Sequence, residues 1–119
     1  MIRMAKLISI EDFKKIDIRV GEVLSAEKID GSDKLLKLRV NFGNEERQVL
    51  SGIAAFFPDP STLVGKRYPF VTNLAPRSMM GLESQAMIMA TGDDPSTPLG
   101  IKDELFLFET NAAPGSRVR

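Results

Sequence analysis

Short extended segments separated by turn residues dominate this chain, and they constrain its fold more than any other feature. Apolar and polar side chains alternate in Ile16–Val20 and in Lys34–Phe42, which is the period of a strand with one buried face. A helix signal stands at Ser9–Asp12, where Ser9 and Asp12 are spaced as in a capping box. The pattern predicts three further strands, at Arg47–Ser51, Arg67–Thr72 and Ser84–Thr91.

Five strands joined by short turns predict a mainly β fold in one domain, residues 1–119, with a short N-terminal helix. A five-stranded Greek-key barrel of the oligonucleotide-binding type has this number of elements. A sandwich or an SH3-like barrel fits the pattern almost as well. In the first strand the large apolar residues change from even to odd positions after Gly21, which predicts a β-bulge there. Pro69 lacks a backbone donor, so its strand is predicted to be an edge or to bulge.

The residue inventory excludes several kinds of catalysis. There is no Cys and no His, so thiolate chemistry, a Ser-His-Asp triad and imidazole-ligated zinc are impossible. Paired carboxylates such as Glu45 and Glu46 remain formally open, but no partner is positioned for them. We therefore expect a binding protein without a cofactor or a metal. No apolar run approaches the roughly 20 residues that span a bilayer, and we expect a cytoplasmic protein without a membrane partner.

Charge is balanced overall but uneven along the chain. Residues 34–91 hold seven basic side chains against four acidic ones, although 16 Lys and Arg balance 16 Asp and Glu in the whole sequence. An excess of three is also what an ordinary solvated surface shows. An anionic partner is nevertheless expected to bind this middle segment.

Three segments, Gly31–Leu38, Arg47–Ile53 and Asn73–Met87, resemble the tRNA-binding domain family in sequence and order. Asp17–Gly21 and Pro114–Gly115 add to a resemblance that covers about residues 8–118. This family occurs as the C-terminal domain of bacterial methionyl-tRNA synthetases, in synthetase-associated cofactors and as small free-standing dimers. The resemblance implies an oligonucleotide-binding barrel and structure-directed, largely sequence-independent binding of tRNA, without catalysis. An aminoacyl-tRNA synthetase is a further possible partner.

The chemistry of folded RNA selects the candidate contacts within these segments. Phosphates call for cations, and ribose hydroxyls and base edges call for hydroxyl and amide groups. The candidate cations are Lys34, Lys37, Arg47 and Arg77. The candidate polar contacts are Ser32, Ser51, Asn73, Ser78, Ser84 and Gln85, with Met80 as an apolar contact to an exposed base. Ala75, Ser78 and Met80 stand where relatives often carry cations, so we expect micromolar, salt-sensitive binding.

The termini carry more apolar residues than a small barrel needs, which favours self-association. The resemblance implies a homodimer formed by the terminal extensions. The candidate interface residues are Leu7, Ile8, Ile10, Phe13, Leu105, Phe106, Leu107, Phe108 and Val118. A second hypothesis is an export-related chaperone that binds unfolded polypeptide, because some family members are described in that way. Phe56, Phe57, Met79 and Met80 would then supply apolar contacts.

Overall fold

The computed structural model describes residues 5–92 and 104–119 and confirms a mainly β chain. Ser9 caps the short helix as predicted, since its hydroxyl accepts a hydrogen bond from the Asp12 N–H at 3.1 Å. The elements are α1 (Ile10–Phe13), β1 (Ile18–Lys28), β2 (Leu36–Asn41), β3 (Glu46–Ser51), β4 (Arg67–Val71), β5 (Arg77–Met79), β6 (Leu82–Ser84), β7 (Met87–Ile88), β8 (Ala90–Gly92), β9 (Leu105–Leu107) and β10 (Arg117–Val118), with 3₁₀ turns at Ala54–Phe56 and Pro60–Leu63.

One antiparallel sheet, in the order β3-β2-β1-β4-β7, forms a curled half-barrel. Strand β1 curls it, because Glu22–Lys28 pairs with β2 while Ile18–Glu22 pairs with β4. The far edge of β3 then meets the segment around β6, where the Gln85 N–H donates to the Gln48 carbonyl at 2.9 Å. The prediction of a barrel of the oligonucleotide-binding type is confirmed.

The predicted fifth strand and the loop before it differ from the structure. The predicted strand Ser84–Thr91 is divided among the end of β6, β7 and β8, and the stretch between the fourth and fifth predicted strands contains β5. Strands β5 and β6 form a hairpin whose turn residues, Met80 and Gly81, both have positive φ angles of 53° and 75°. Two consecutive residues with positive φ are typical of the tight turns that match the twist of a hairpin.

Alternation on the central strands builds the core as the sequence predicts. Leu36, Leu38 and Val40 of β2 are fully buried, and Val49 of β3 packs with them. The Phe70 ring on β4 meets Phe42 edge-on, with ring centroids 5.3 Å apart. These side chains fill the concave side of the curled sheet, so the intervening residues of β2 and β3 point outward.

The predicted bulge at Gly21 is wrong in position. The register shifts between Val23 and Ser25, which leaves Leu24 as the extra residue. The change from even to odd apolar positions has a different cause, because Val20 is buried on the face that the chain's C-terminal residues cover. Gly21 instead faces the core, where an added Cβ would lie 2.4 Å from Val40 Cγ1 and 2.8 Å from Phe42 Cε1.

Pro69 does not lie at an edge, since β4 is hydrogen-bonded to β1 on one side and to β7 on the other. It is tolerated because its partner Val20 directs its own N–H and carbonyl to Ser116 and Gly115. The Pro69–Val20 pair therefore needs no hydrogen bond, and the missing donor leaves no gap in that ladder.

We predict that Gly21→Ala lowers the free energy of unfolding by about 1–3 kcal/mol, because the new methyl group overpacks the contact with Val40 and Phe42. Gly52→Ala is the matched control, since a Cβ added at Gly52 would have no neighbour within 4 Å. Urea unfolding of both variants measures the difference. Equal stabilities would show that the core accommodates the methyl group.

Candidate nucleic-acid interface

The outward side of β2 and β3 carries cations and amides. Register places Lys37 opposite Leu50 and Arg39 opposite Gln48, and these four residues form what we call the outer face. The residues between them on β2 point into the core, so alternation alone sends both cations outward. Lys37 is half-buried along its stem, and Arg39 is exposed.

The β5–β6 hairpin extends the outer face beyond β3. Leu50 is buried although it lies on the outer face, and its N–H donates a hydrogen bond to the Ser84 hydroxyl of β6 at 3.0 Å. The Gln48 side-chain amide donates to the Glu83 carbonyl at 3.0 Å. Arg77 pairs with Ser84 across the hairpin and is exposed. These contacts hold the hairpin that carries Arg77 against the edge of β3.

The hairpin tip leans toward the loop between β1 and β2. The Met80 methyl group lies 3.5 Å from the position that a Cβ on Gly31 would occupy, and Met80 is 56% exposed. In the same loop the Ser32 hydroxyl accepts hydrogen bonds from the N–H groups of Lys34 and Leu35. Met80 and the loop with Ser32 and Lys34 therefore lie close together.

Arg47 is turned into the protein rather than toward solvent. Its Nη1 donates to the carbonyls of Thr72 and Gln85 at 2.6 and 3.1 Å, and its Nη2 donates to the Glu45 carboxylate at 2.8 Å. The guanidinium also lies over the Phe42 ring, 5.7 Å from its centroid. Arg47 thus joins β3 to the chain on either side of the hairpin, and its contact with RNA stays a prediction.

Asn73 and Ser84 also have partners inside the protein. Asn73 accepts a hydrogen bond from the Asp17 N–H at 2.8 Å and donates to the Lys15 carbonyl at 2.6 Å. Ser84 is buried, and its hydroxyl bonds to Leu50 and Ala86. Both residues therefore position the hairpin, whatever further contact they make.

The remaining polar candidates differ in accessibility. Gln85 is half-buried and accepts a hydrogen bond from the Gln48 N–H at 3.0 Å. Ser51 lies opposite Leu36 on the inward side of the sheet and is half-buried. Ser78 is exposed, on the hairpin face opposite to Arg77. Of the predicted RNA contacts, Lys37 lies on the outer face and Arg77 on the adjoining hairpin, whereas Arg47 and Ser51 lie on the other side of β3.

Two residues of the outer face, Arg39 and Gln48, were not among the predicted contacts. The signal for Arg39 was in the sequence, because it lies two positions from Lys37 on the same predicted strand. Gln48 required the register of β2 and β3, which places it opposite Arg39.

Asp17 is a charged centre at the open end of the barrel. Desolvation acts to raise its pKa, but the hydrogen bond from the Thr72 hydroxyl at 2.9 Å and the charges of Arg19 and Arg117 outweigh it, so the pKa is lowered. Asp17, Arg19, Glu45 and Arg47 line a cavity of about 440 Å³ there. Because Arg19 pairs with Asp17, and Arg47 with Glu45, this cavity presents balanced charge.

Two other kinds of site are not found in the part of the chain that the structure describes. No helix within residues 5–92 and 104–119 is long and apolar enough to cross a membrane. No group of three or more acidic, His or Cys side chains in the same ranges could hold a metal ion.

A curled antiparallel half-barrel with cations and amides on its outer strands is typical of oligonucleotide-binding-type proteins. Comparison of the sequence with known families defines the class of this protein more narrowly. A family model described as "Putative tRNA binding domain" matches residues 18–117, and the chain belongs to this tRNA-binding domain family.

Its relatives include parts of much longer enzymes. It is 56% identical over 95 residues to the methionine–tRNA ligase of Methanoregula boonei, covering 78% of this chain and 14% of the enzyme. It is 44% identical over 113 residues to that of Methanoculleus marisnigri, covering 95% of this chain and 16% of the enzyme. The chain therefore spans about one-seventh of the length of these curated relatives.

Two solved structures have similar folds. A MetRS-related protein from Pyrococcus horikoshii is 38% identical with a TM-score of 0.84, covering 97% of this chain and all of that one. The chaperone CsaA from Bacillus anthracis is 21% identical with a TM-score of 0.78, covering 96% of this chain and all of that one. The second likeness shows the fold alone.

We predict that Arg47→Ala lowers the free energy of unfolding by about 1–3 kcal/mol, because the carbonyls of Thr72 and Gln85 lose their donor. Arg77→Ala is the control and should change it by less than about 0.5 kcal/mol, since Arg77 is exposed. Urea unfolding monitored by circular dichroism compares the two. A similar loss in both variants would contradict the structural role of Arg47.

Proposed function

We propose that this chain binds tRNA through the outer face and the β5–β6 hairpin, reading the shape of the folded RNA rather than its sequence. The observation that carries the proposal is the placement of Lys37 and Arg39 beside Gln48, whose side chain bonds to the hairpin that carries Arg77. Closely spaced phosphates of a folded RNA would meet these cations, and Gln48 could bond to ribose or base groups.

The distribution of exposed rings supports recognition of shape. Phe13 on α1 is 37% exposed, and the most exposed aromatic residues in the described part of the chain are Phe106 and Phe108, at 55% and 48%. They follow β8 rather than bordering the outer face. Stacking of successive bases on aromatic rings, which holds single strands, therefore has no platform at the proposed site. Met80 at the hairpin tip can instead make an apolar contact with one exposed base.

We propose binding without a reaction of its own. The protein lacks His and Cys, and its outer face presents cations and amides rather than a positioned acid and base. Its methionine–tRNA ligase relatives make a partnership with an aminoacyl-tRNA synthetase a reasonable extension of this proposal. A tRNA ligand would place the protein in the cytoplasm.

We predict that Lys37→Ala combined with Arg77→Ala weakens binding to bulk tRNA by about 1–3 kcal/mol, because two charge-assisted contacts to phosphate are lost. The melting temperature should barely move, since both residues have solvent-accessible side chains. Lys66→Ala is the matched control, because Lys66 is exposed near Glu109 and away from the outer face. Filter binding across a salt series measures all three proteins.

An unchanged isotherm for the double variant would place the site elsewhere. Binding to tRNA that is insensitive to salt, or preferential binding to unfolded polypeptide, would favour the chaperone-like alternative.

We further propose a homodimer formed by an apolar surface at the termini. Ile10, Phe13, Ile16 and Val118 line a cavity of about 640 Å³, and Val118 also borders a second cavity of about 390 Å³. The predicted residues Leu7 and Ile8, which precede α1, are 96% and 66% exposed, and Phe108 lines the second cavity.

The predicted interface segment Leu105–Phe108 divides between two environments. Leu105 and Leu107 are half-buried and pack against the core, whereas Phe106 and Phe108 are exposed. Only the two Phe residues of this segment are therefore proposed as interface contacts.

We predict that Val118→Asp converts the dimer into a monomer, because it buries a charge in the proposed apolar contact. Val64→Asp is the matched control, since Val64 is 45% exposed but lines neither cavity. Size-exclusion chromatography with light scattering, at tens of micromolar protein, distinguishes one chain of 13.1 kDa from two. A monomeric mass for the unmodified protein would contradict the dimer.

A further inference from the structure

Both cations of the outer face are held by carboxylates of this same chain. Lys37 Nζ lies 2.7 Å from Glu27 Oε1, and Arg39 Nη2 lies 3.2 Å from Glu46 Oε2. The exposed fractions of these four side chains range from 33% to 61%, so all of them are accessible to solvent. Arg77 forms no ion pair with any residue in the described part of the chain.

Strand register sets both pairs. Glu27 of β1 lies directly opposite Lys37 of β2. Glu46 of β3 lies opposite Asn41, which is two positions from Arg39 and therefore on the same side of the sheet. Side chains at opposite and diagonal positions of antiparallel strands are within reach of each other. The carboxylates are thus built into the face that carries the cations.

We propose that Glu27 and Glu46 compete with nucleic-acid phosphates for Lys37 and Arg39, and so determine which polyanions bind. The inference rests on the outer face being the RNA surface. Carboxylate and phosphate oxygens accept hydrogen bonds from the same ammonium and guanidinium donors, so one must leave before the other can bind. Exposed ion pairs are weak, so the carboxylates can be displaced.

Because of this competition, a ligand that offers only negative charge binds weakly. A polyanion that offers only phosphates must displace each carboxylate and then remain near it. Repulsion between these two negative groups offsets part of the attraction to the cation. A folded RNA that also bonds to Gln48 and reaches Arg77 gains contacts that the carboxylates do not oppose. Glu27 and Glu46 are therefore specificity residues, because they weaken the wrong ligands more than the right one.

Glu45 supplies a matched control one residue from Glu46. It also pairs with an arginine, but Arg47 donates to two backbone carbonyls and is only 24% exposed. Removing the Glu45 charge changes the net charge by the same amount without releasing a cation to the outer face.

The experiment compares Glu27→Gln, Glu46→Gln and Glu45→Gln with the unmodified protein, using a short DNA duplex and bulk tRNA across a salt series. We expect Glu27→Gln and Glu46→Gln to bind the duplex about two- to fivefold more tightly at low salt, with a smaller gain for tRNA. The plot of log K against log salt for the duplex should steepen by up to about 0.9 for each released cation. Glu45→Gln should bind as the unmodified protein does.

Three results would overturn the inference. Equal tightening by Glu45→Gln and Glu46→Gln would show an effect of net charge, and no tightening by Glu27→Gln and Glu46→Gln would show that the carboxylates do not compete. In the Arg39→Ala background the gain from Glu46→Gln should vanish, and its persistence would also contradict the mechanism. The duplex measurements keep the two proposals separate, because they test the ion pairs even if tRNA shows no binding of its own.

Discussion

Strand β1 forms hydrogen bonds with β2 along one half of its length and with β4 along the other, and the rest of the structure depends on this sharing. The curl requires a residue without a side chain on the inner side of β1. At Gly21 the side chains of Val40 and Phe42 fill the space that a Cβ would need. The curl brings β3 round to the hairpin segment, where Gln48 and Leu50 bond to Gln85 and Ser84. The outer face is thus a consequence of packing on the inside.

Much of the fold was predictable because local alternation and burial agree. Leu36, Leu38 and Val40 are buried as their spacing predicts, and Ser9 caps the helix. The sequence misled where burial has a non-local cause. Val20 is covered by C-terminal residues. The buried apolar positions of β1 therefore change from even to odd as they would at a bulge, although the register shift lies beside Leu24. Within the predicted fifth strand Ala86 and Ile88 are buried, whereas Met87 is exposed and Met89 is half-buried.

The sequence predicted which residues of the candidate site are charged, but not which of them bond to the protein itself. Lys37 lies on the outer face because strand alternation places it there, and Arg77 lies on the hairpin that borders β3. Nothing in the sequence separates them from Arg47, whose guanidinium holds two carbonyls. Asn73 and Ser84 likewise bond to backbone groups more than 30 positions away. Residue type shows what a side chain can bond to, and only the fold decides whether that partner is protein or solvent.

This member of the tRNA-binding domain family thus combines a packed interior with ion pairs on its surface. Asn73 adds a further property. Its one side chain bonds at 2.8 and 2.6 Å to the segment that follows α1, while its backbone leads into the hairpin. This amide therefore links the segment that leads into the hairpin to the segment that follows α1 through two hydrogen bonds. The hairpin proposed to contact RNA and the helix beside the apolar terminal surface thus share one anchoring side chain.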